Sequence, residues 1–275
     1  MKQKKVTTVV LFSVLCIVVL IVNWPIITMI LNSFKSKLEL DSTSSIWPIN
    51  FTLENYEFVT TRANIMIYFK NSFYVSGVSM LVSIFVASLA GYAISRYRSL
   101  SLSLFSKSLL MLQMFPIILV LIPIFILFKY LQLIDTHFSI ILLYITGNLP
   151  FAIWMFKGFI DSIPKELEEA SWIDGCSRFG SMVRIILPIS GPGIAAIAIF
   201  SFLGSWNEFI IANIFLKSRE LLTMSVGLQQ FIQQYETDWG KLTAYSTLGM
   251  IPVLLMLLFL QKYMVQGSIA GSVKG

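Results

Sequence analysis

Glu169-Ala170-Ser171-Trp172-Ile173-Asp174-Gly175, followed after nine residues by Ile185-Ile186-Leu187-Pro188, is a polar, punctuated stretch inside an otherwise oily chain. Pro164 suits a helix start, and Glu166, Glu168 and Glu169 follow where carboxylates favour the positive end of a helix. Gly175 supplies a stop. A second short helix is expected from Ser177, with Phe179, Met182, Val183 and Ile186 at helical spacing, until Pro188 ends it. The expected product is a helix-turn-helix elbow. Ala170, Ser171 and Gly175 would allow a partner's close approach, and Glu169 and Asp174 would accept charge-assisted hydrogen bonds from it. An amphipathic hairpin lying on lipid headgroups is the competing reading, but acid-rich helices bind anionic membranes poorly.

Outward from the elbow, the solvent is hydrocarbon. Of 275 residues, 56% are hydrophobic and 12% charged, with a mean hydropathy of +0.80. That is too little polar surface for a soluble globule. Six stretches are long and apolar enough to cross about 30 Å of hydrocarbon: residues 6–31, 72–95, 108–128, 138–156, 191–215 and 243–260. The first follows Lys2, Lys4 and Lys5 but is too long for a secretory signal and is read as a retained span. The elbow then falls within 157–190, between spans four and five, and residues 261–275 form a tail.

Charge sets the expected orientation. With the N-terminus inside, Lys2, Lys4, Lys5, Arg96, Arg98, Lys107, Lys157, Lys165, Arg178, Arg184, Lys262 and Lys274 fall on the cytoplasmic side, against five acids; the outer side balances eight basic residues with eight acids. The asymmetry places both termini in the cytoplasm. The basic surplus is a topology signal, and no basic stripe interleaved with aromatics speaks for nucleic acid. Cys16 and Cys176 sit at different levels and imply neither disulfide nor metal framework.

Two other places attract interest. Glu208, in Trp206-Asn207-Glu208-Phe209, is the one acid expected within a span, where an ionisable group is costly unless it faces a cavity or polar neighbour. Flat rings beside hydrogen-bonding groups suit a sugar ring; interfacial anchoring of Trp206 is the alternative. Gln113 and Asn148 either line a path or bridge helices. Leu221, Met224, Leu228, Phe231, Ile232 and Tyr235 recur at helical intervals opposite Gln229, Gln230, Gln233 and Gln234, predicting an outer amphipathic helix. His137 is expected to be solvated. Pro116, Pro123 and Pro150 predict kinks.

Glu169-Ala170-Ser171, Gly175 and Ile185-x-Leu187-Pro188 together resemble the EAA loop of ABC-importer permeases, with Ser171 at the family's second alanine. Phe51-Thr52-Leu53-Glu54-Asn55-Tyr56, Asn71-Ser72, Gly91-Tyr92-Ala93-Ile94-Ser95-Arg96, Leu149-Pro150-Phe151-Ala152-Ile153-Trp154, Trp206-Asn207-Glu208-Phe209 and the tail Val265-Gln266-Gly267 through Gly271-Ser272-Val273-Lys274-Gly275 are similar to the maltose and oligosaccharide branch. The resemblance implies an all-α type I importer permease of six transmembrane helices in a bacterial cell membrane. It implies a second homologous permease, two ATPase subunits and an extracellular solute-binding protein as partners. It implies ATPase coupling through Glu169, Ala170, Ser171, Asp174, Gly175, Phe179, Leu187 and Pro188. The tail, by composition a flexible terminus, would touch the ATPase through Gln266, Gly267, Gly271 and Lys274. Trp206, Asn207, Glu208, Phe209, Gln113 and Asn148 would line the path of a di- or oligosaccharide, with glycerol phosphate or another small polar solute as the alternative cargo, or less expectedly an ATP-independent secondary transporter. No phosphate loop occurs: Gly240-Lys241 is followed by Leu242. ATP and Mg would be bound by the partner, and the chain itself is expected to carry no cofactor and no reaction.

Overall fold

The computed structural model describes the backbone of residues 2–232 and 237–272, and side chains within 8–263 other than residues 9 and 233–236. The fold is helical, with no strand among the described residues. In chain order the helices are α1 (Lys2–Asn32), α2 (Lys37–Ser42), α3 (Glu54–Thr61), α4 (Ile65–Arg96), α5 (Leu100–Gln113), α6 (Ile117–Tyr130), α7 (His137–Asp161), α8 (Glu166–Ile173), α9 (Arg178–Ser181), α10 (Leu187–Ile189), α11 (Gly191–Trp206), α12 (Ile210–Phe215), α13 (Met224–Gly227) and α14 (Trp239–Ser272). The chain forms two compact units, Met1–Met66 with Leu228–Ile251, and Ile67–Gly227 with Pro252–Gly275.

Four helices are long and apolar enough to span a membrane alone, over Val10–Asn32, Ile65–Arg96, His137–Asp161 and Trp239–Tyr263. Two more spans arise only if bent pairs are counted: α5 with α6, at 99°, and Arg178–Ile189 with α11, at 74°. Proline alone does not decide where a span breaks. Pro25, Pro123, Pro150 and Pro252 sit inside continuous helices, whereas Pro116 caps the start of α6 and marks the sharp turn. α4 begins at Ile65, ahead of the expected start at Ser72, and is about 48 Å long at the usual rise of about 1.5 Å per residue; its last turns hold Tyr92 and Arg96, which bond the elbow.

In the first unit, the segment after α1 is knitted by side chains onto backbone. The Glu39 carboxylate accepts the amides of Ile49 (2.7 Å) and Asn50 (3.2 Å), Asn55 donates to the carbonyls of Ser33 (3.0 Å) and Lys35 (2.8 Å), and Phe34 stacks on Phe51 at 4.7 Å. Gly240 lies so close to Asn55 that a Cβ would meet its Oδ1 at 2.7 Å, and Lys241 pairs with Asp238 and lies over the Phe58 ring at 4.2 Å. The Gly-Lys pair is thus a packing element.

The second unit packs on small residues. The buried face of α4 reads Ser72, Val75, Ser76, Ser79, Ser83, Ala87, Ser88, Gly91 and Tyr92, at three- and four-residue steps. Small side chains let membrane helices approach closely, where hydrophobic driving force between spans is absent. Ser76, Ser79 and Ser83 keep buried hydroxyls with no hydrogen-bond partner. One apolar cluster joins Val75, Leu121, Phe128, Ile140, Tyr144, Ile211 and Phe215; another joins Ala87, Leu109, Ile153, Phe156, Ile160, Met182, Ile186 and Ile197. Asn148 bridges α7 to α11, donating to the Ser201 carbonyl (3.3 Å) and the Ser205 hydroxyl (3.2 Å).

The expected helix over 221–235 is replaced by α13 and a 3-10 turn, Leu228–Phe231; Gln233, Gln234 and Tyr235 lie outside the described residues. The reason is competition for the segment's backbone groups. Asn71 donates to the carbonyls of Glu220 (2.7 Å) and Leu222 (2.9 Å), the Met224 amide donates to the Ser72 hydroxyl (2.7 Å), and His137 Nε2 lies 2.9 Å from the Leu221 carbonyl. Short polar side chains of α4 and the imidazole at the start of α7 take bonds that a regular helix would have used. His137 is accordingly a tether and only partly exposed, where the sequence suggested a solvated residue.

Candidate functional site

The elbow exists, built as α8, a turn and α9. Gly175 adopts φ +86°, a left-handed conformation that side chains rarely take, and the Cys176 amide returns to the Ser171 carbonyl at 2.9 Å, closing the α8 end. Ser177 caps α9 by accepting the Gly180 amide at 3.0 Å. The second arm does not end at Pro188. Met182–Ile186 forms a π turn, α10 runs through Pro188, and the chain bends at Ser190. A widened turn shifts the bonding register, so the missing Pro188 amide is tolerated and the break moves to the next Ser-Gly.

What fixes the elbow is Glu168, a residue the motif reading passed over. Its side chain is 2% exposed. It pairs with Arg96 Nε, and the Tyr92 hydroxyl donates to it at 2.6 Å. Arg96 also donates to the Ile163 carbonyl at 3.0 Å, so one guanidinium from α4 grips both α8 and the turn before it. Beside this, Ser95 donates to Asp161 at 2.5 Å, and Lys157 pairs with the same carboxylate. α4 and α7 meet through Gly91, whose added Cβ would lie 3.1 Å from the backbone of Ile153 and Lys157. The sequence signal for Glu168 was Arg96 itself, a cation closing a span with no acid nearby in the chain.

Of the residues singled out in the motif, Glu169, Ala170, Asp174, Gly175, Phe179 and Pro188 are exposed and Leu187 is half-buried. Ser171 is not presented to a partner. It is buried, its hydroxyl donating to the Glu168 carbonyl (2.7 Å) and hydrogen-bonded to the Ser181 hydroxyl (2.8 Å), and so locks the two arms together. The outer surface instead shows Ile173, 87% exposed, and Phe179, 68% exposed, flanked by the carboxylates of Glu169 and Asp174. Trp172 lies beneath the Arg178 guanidinium at 5.4 Å, and a cavity of about 230 Å³ opens between Arg96, Lys165, Glu169, Trp172 and Arg178. An apolar knob with an acidic rim, braced from behind by a buried ion pair, is suited to transmit force from a protein pressed against it.

The intramembrane candidates are placed differently. Trp206 is 4% exposed, stacked on Phe202 at 5.5 Å and edge-on to Phe69 at 5.6 Å. Glu208 is not inside a helix: α11 stops at Trp206 and α12 restarts at Ile210, and the carboxylate caps the restart, accepting the amides of Ile211 (2.8 Å) and Ala212 (3.1 Å) and the Tyr144 hydroxyl (2.9 Å). Ser225 donates to its carbonyl at 2.6 Å. Asn207 and Gln113 are exposed, Phe209 half-buried, and Asn148 borders a 240 Å³ cavity with Phe151 and Phe200. Side chains of Gln266, Gly267 and Gly271, and all of Lys274, lie outside the described residues.

Residues 79–268 match the family described as binding-protein-dependent transport system inner membrane component. The chain belongs to this family of importer permeases. It is 33% identical over 256 residues to the arabinooligosaccharides transport system permease protein of Halalkalibacterium halodurans, covering 92% of this chain and 91% of the relative. It is 32% identical over 272 residues to the trehalose/maltose transport system permease protein of Thermococcus litoralis, covering 97% and 94%. Its fold is similar to that of a chain of the bacterial ABC transporter involved in import of the acidic polysaccharide alginate, with a TM-score of 0.79 at 20% identity over 96% of this permease and 98% of that chain. The all-α importer-permease fold expected from the elbow is thus the fold observed.

Proposed function

We propose that this permease carries a di- or oligosaccharide inward across a bacterial cell membrane, driven by a separate ATPase that seats on the elbow. The relatives named for arabinooligosaccharides and for trehalose/maltose support the sugar class, and the family's binding-protein dependence supports an extracellular receptor as sugar donor. In this reading both termini and the elbow are cytoplasmic, a homologous permease completes the membrane core, and two ATPase copies bind ATP and Mg.

The observation that carries the reading is the brace behind the knob: Glu168, buried and held by Arg96 and Tyr92, links a surface shaped for docking to a membrane-spanning helix. A push on Ile173 and Phe179 is delivered to α4 through a charge pair rather than absorbed by a soft loop. Closure of the ATPase dimer would then bias the spans between inward-open and outward-open arrangements. Gln113, Asn148, Asn207 and Phe209 are the path-lining groups still accessible for sugar hydroxyls and ring faces, while Trp206 and Glu208 hold the path's shape.

Gly175→Val and Glu169→Lys test the docking assignment in the assembled importer. Transport and co-purification of the ATPase fall together, about tenfold or more, while membrane insertion is retained. ATPase co-purification unchanged in both variants would refute it.

A further inference from the structure

We propose that the end of the bundle beside the elbow contains a binding site for the phosphate headgroup of an anionic phospholipid. A cavity of about 600 Å³ lies between the end of α4, the first turns of α5 and the last turns of α7, within the size range of small-ligand pockets. Three cations line it, Arg98, Lys107 and Lys157. Lys157 is answered by Asp161; among the described residues neither Arg98 nor Lys107 has a carboxylate partner, and both are exposed. The cavity therefore holds uncompensated positive charge.

The lining has two chemistries in register. Ser99, Ser103 and Lys107 repeat at four-residue steps along α5, putting two hydroxyls and an ammonium on one stripe that faces the cavity. Ser99 also caps α5, a 14-residue helix whose N-terminal turn brings partial positive charge to the same place. The apolar part of the lining is Ile94, Leu100 and Leu102, and beyond the cavity the same helix exposes Leu104 and Met111 by 57% and 64%. Trp154 closes the inner wall, its indole donating to the Ser106 carbonyl at 2.9 Å, with the Lys157 ammonium 5.6 Å from its ring centre. Trp and Lys together mark a membrane-water boundary. A ligand with a phosphate at one end and hydrocarbon at the other satisfies both chemistries; a free phosphate satisfies only one. Basic pockets between membrane helices recognise lipid headgroups by this logic.

The test uses the importer purified with its partner subunits and stripped of lipid, titrated in native mass spectrometry with phosphatidylglycerol, with phosphatidylcholine and with inorganic phosphate. Phosphatidylglycerol binds the parent complex more tightly than phosphatidylcholine does. Arg98→Gln with Lys107→Gln weakens phosphatidylglycerol binding by about thirtyfold, roughly fivefold per charge removed. Arg98→Lys with Lys107→Arg preserves it, and Lys70→Gln with Lys129→Gln, an equal loss of charge away from the cavity, leaves it unchanged. Co-purified ATPase, measured in the same samples, stays constant and shows that the variants assemble. Equal weakening by both charge-removing pairs, phosphatidylcholine binding as tightly, or inorganic phosphate displacing the lipid at matched concentration would each overturn the proposal.

Discussion

Arg96 and Glu168 illustrate how a single pair sets the mechanical character of the permease. A buried ion pair gains little over well-packed apolar residues, because desolvation cancels much of the attraction, yet losing one partner strands the other charge. Arg96→Met therefore destabilises the detergent-solubilised protein by about 3 kcal/mol or more, Glu168→Leu similarly, and the double variant by clearly less than either. Thermal unfolding of the four proteins reads the cycle; additive effects would show that the pair does not bind α4 to α8. Asp135 makes a second prediction, one that depends on pH. Its carboxyl is held below the usual carboxylate range, chiefly by the Ser218 hydroxyl (2.5 Å) and amide (2.9 Å), then by the amide and charge of Lys217, against the opposing effect of burial. A depressed folded value means the stabilisation is complete above the unfolded value of about 3.9 and is lost as pH falls through the lower folded one. Protection from hydrogen exchange at residues 217–222, taken relative to the intrinsic rate at each pH, falls only below about pH 4 in the parent, and in Asp135→Asn it is lower already at neutral pH and does not change across that window.

At the scale of elements, the contact of α7 with α11 depends on the absence of a side chain. A Cβ on Gly193 would lie 2.7 Å from the Phe159 ring, whereas one on Gly191 would meet nothing within 4 Å. Gly193→Ala costs about 1–3 kcal/mol as Phe159 is displaced, and Gly191→Ala costs about 1 kcal/mol or less, because only the restriction on a residue preceding Pro192 opposes it; chemical denaturation compares them. Neither difference was legible in the sequence, where the two glycines flank one proline. What was legible followed from strong local rules: apolar runs of span length, carboxylates opening α8, and Gly175 closing it. What differed was decided by bonds that the local pattern does not announce. Residues 206–209 lie in an apolar run that reads as one continuous span, whereas the helix breaks there, with Glu208 accepting the amides of Ile211 and Ala212 and the hydroxyl of the distant Tyr144; no proline marks that break. The amphipathic reading of 221–235 failed because Asn71 and His137, far upstream, take its carbonyls. Glu168 was overlooked because three neighbouring glutamates look alike until Arg96 selects one.

For the whole molecule, the importer reading requires the elbow and the segment after α1 to lie on opposite sides of the membrane, and the two cysteines give a means to test it. Cys176 is partly exposed in the turn between α8 and α9, and Cys16 is removed by Cys16→Ser, leaving a single thiol on the surface proposed to meet the ATPase. Asp41, exposed near the end of α2, offers the contrasting position through Asp41→Cys in a background lacking both native cysteines. A membrane-impermeant maleimide labels the Asp41→Cys protein in intact cells and leaves Cys176 untouched until the membrane is opened. In inside-out vesicles Cys176 becomes reactive, and adding the ATPase slows its labelling by roughly tenfold, because a subunit seated over Ile173 and Phe179 covers the turn beside them. The positive-side excess on the elbow's face supports this polarity. Labelling of Cys176 in intact cells would reverse the molecule in the membrane and separate the knob from any cytoplasmic motor. Protection absent in inside-out vesicles would leave the polarity standing and remove the ATPase from the elbow, so the two halves of the functional reading fail by different measurements.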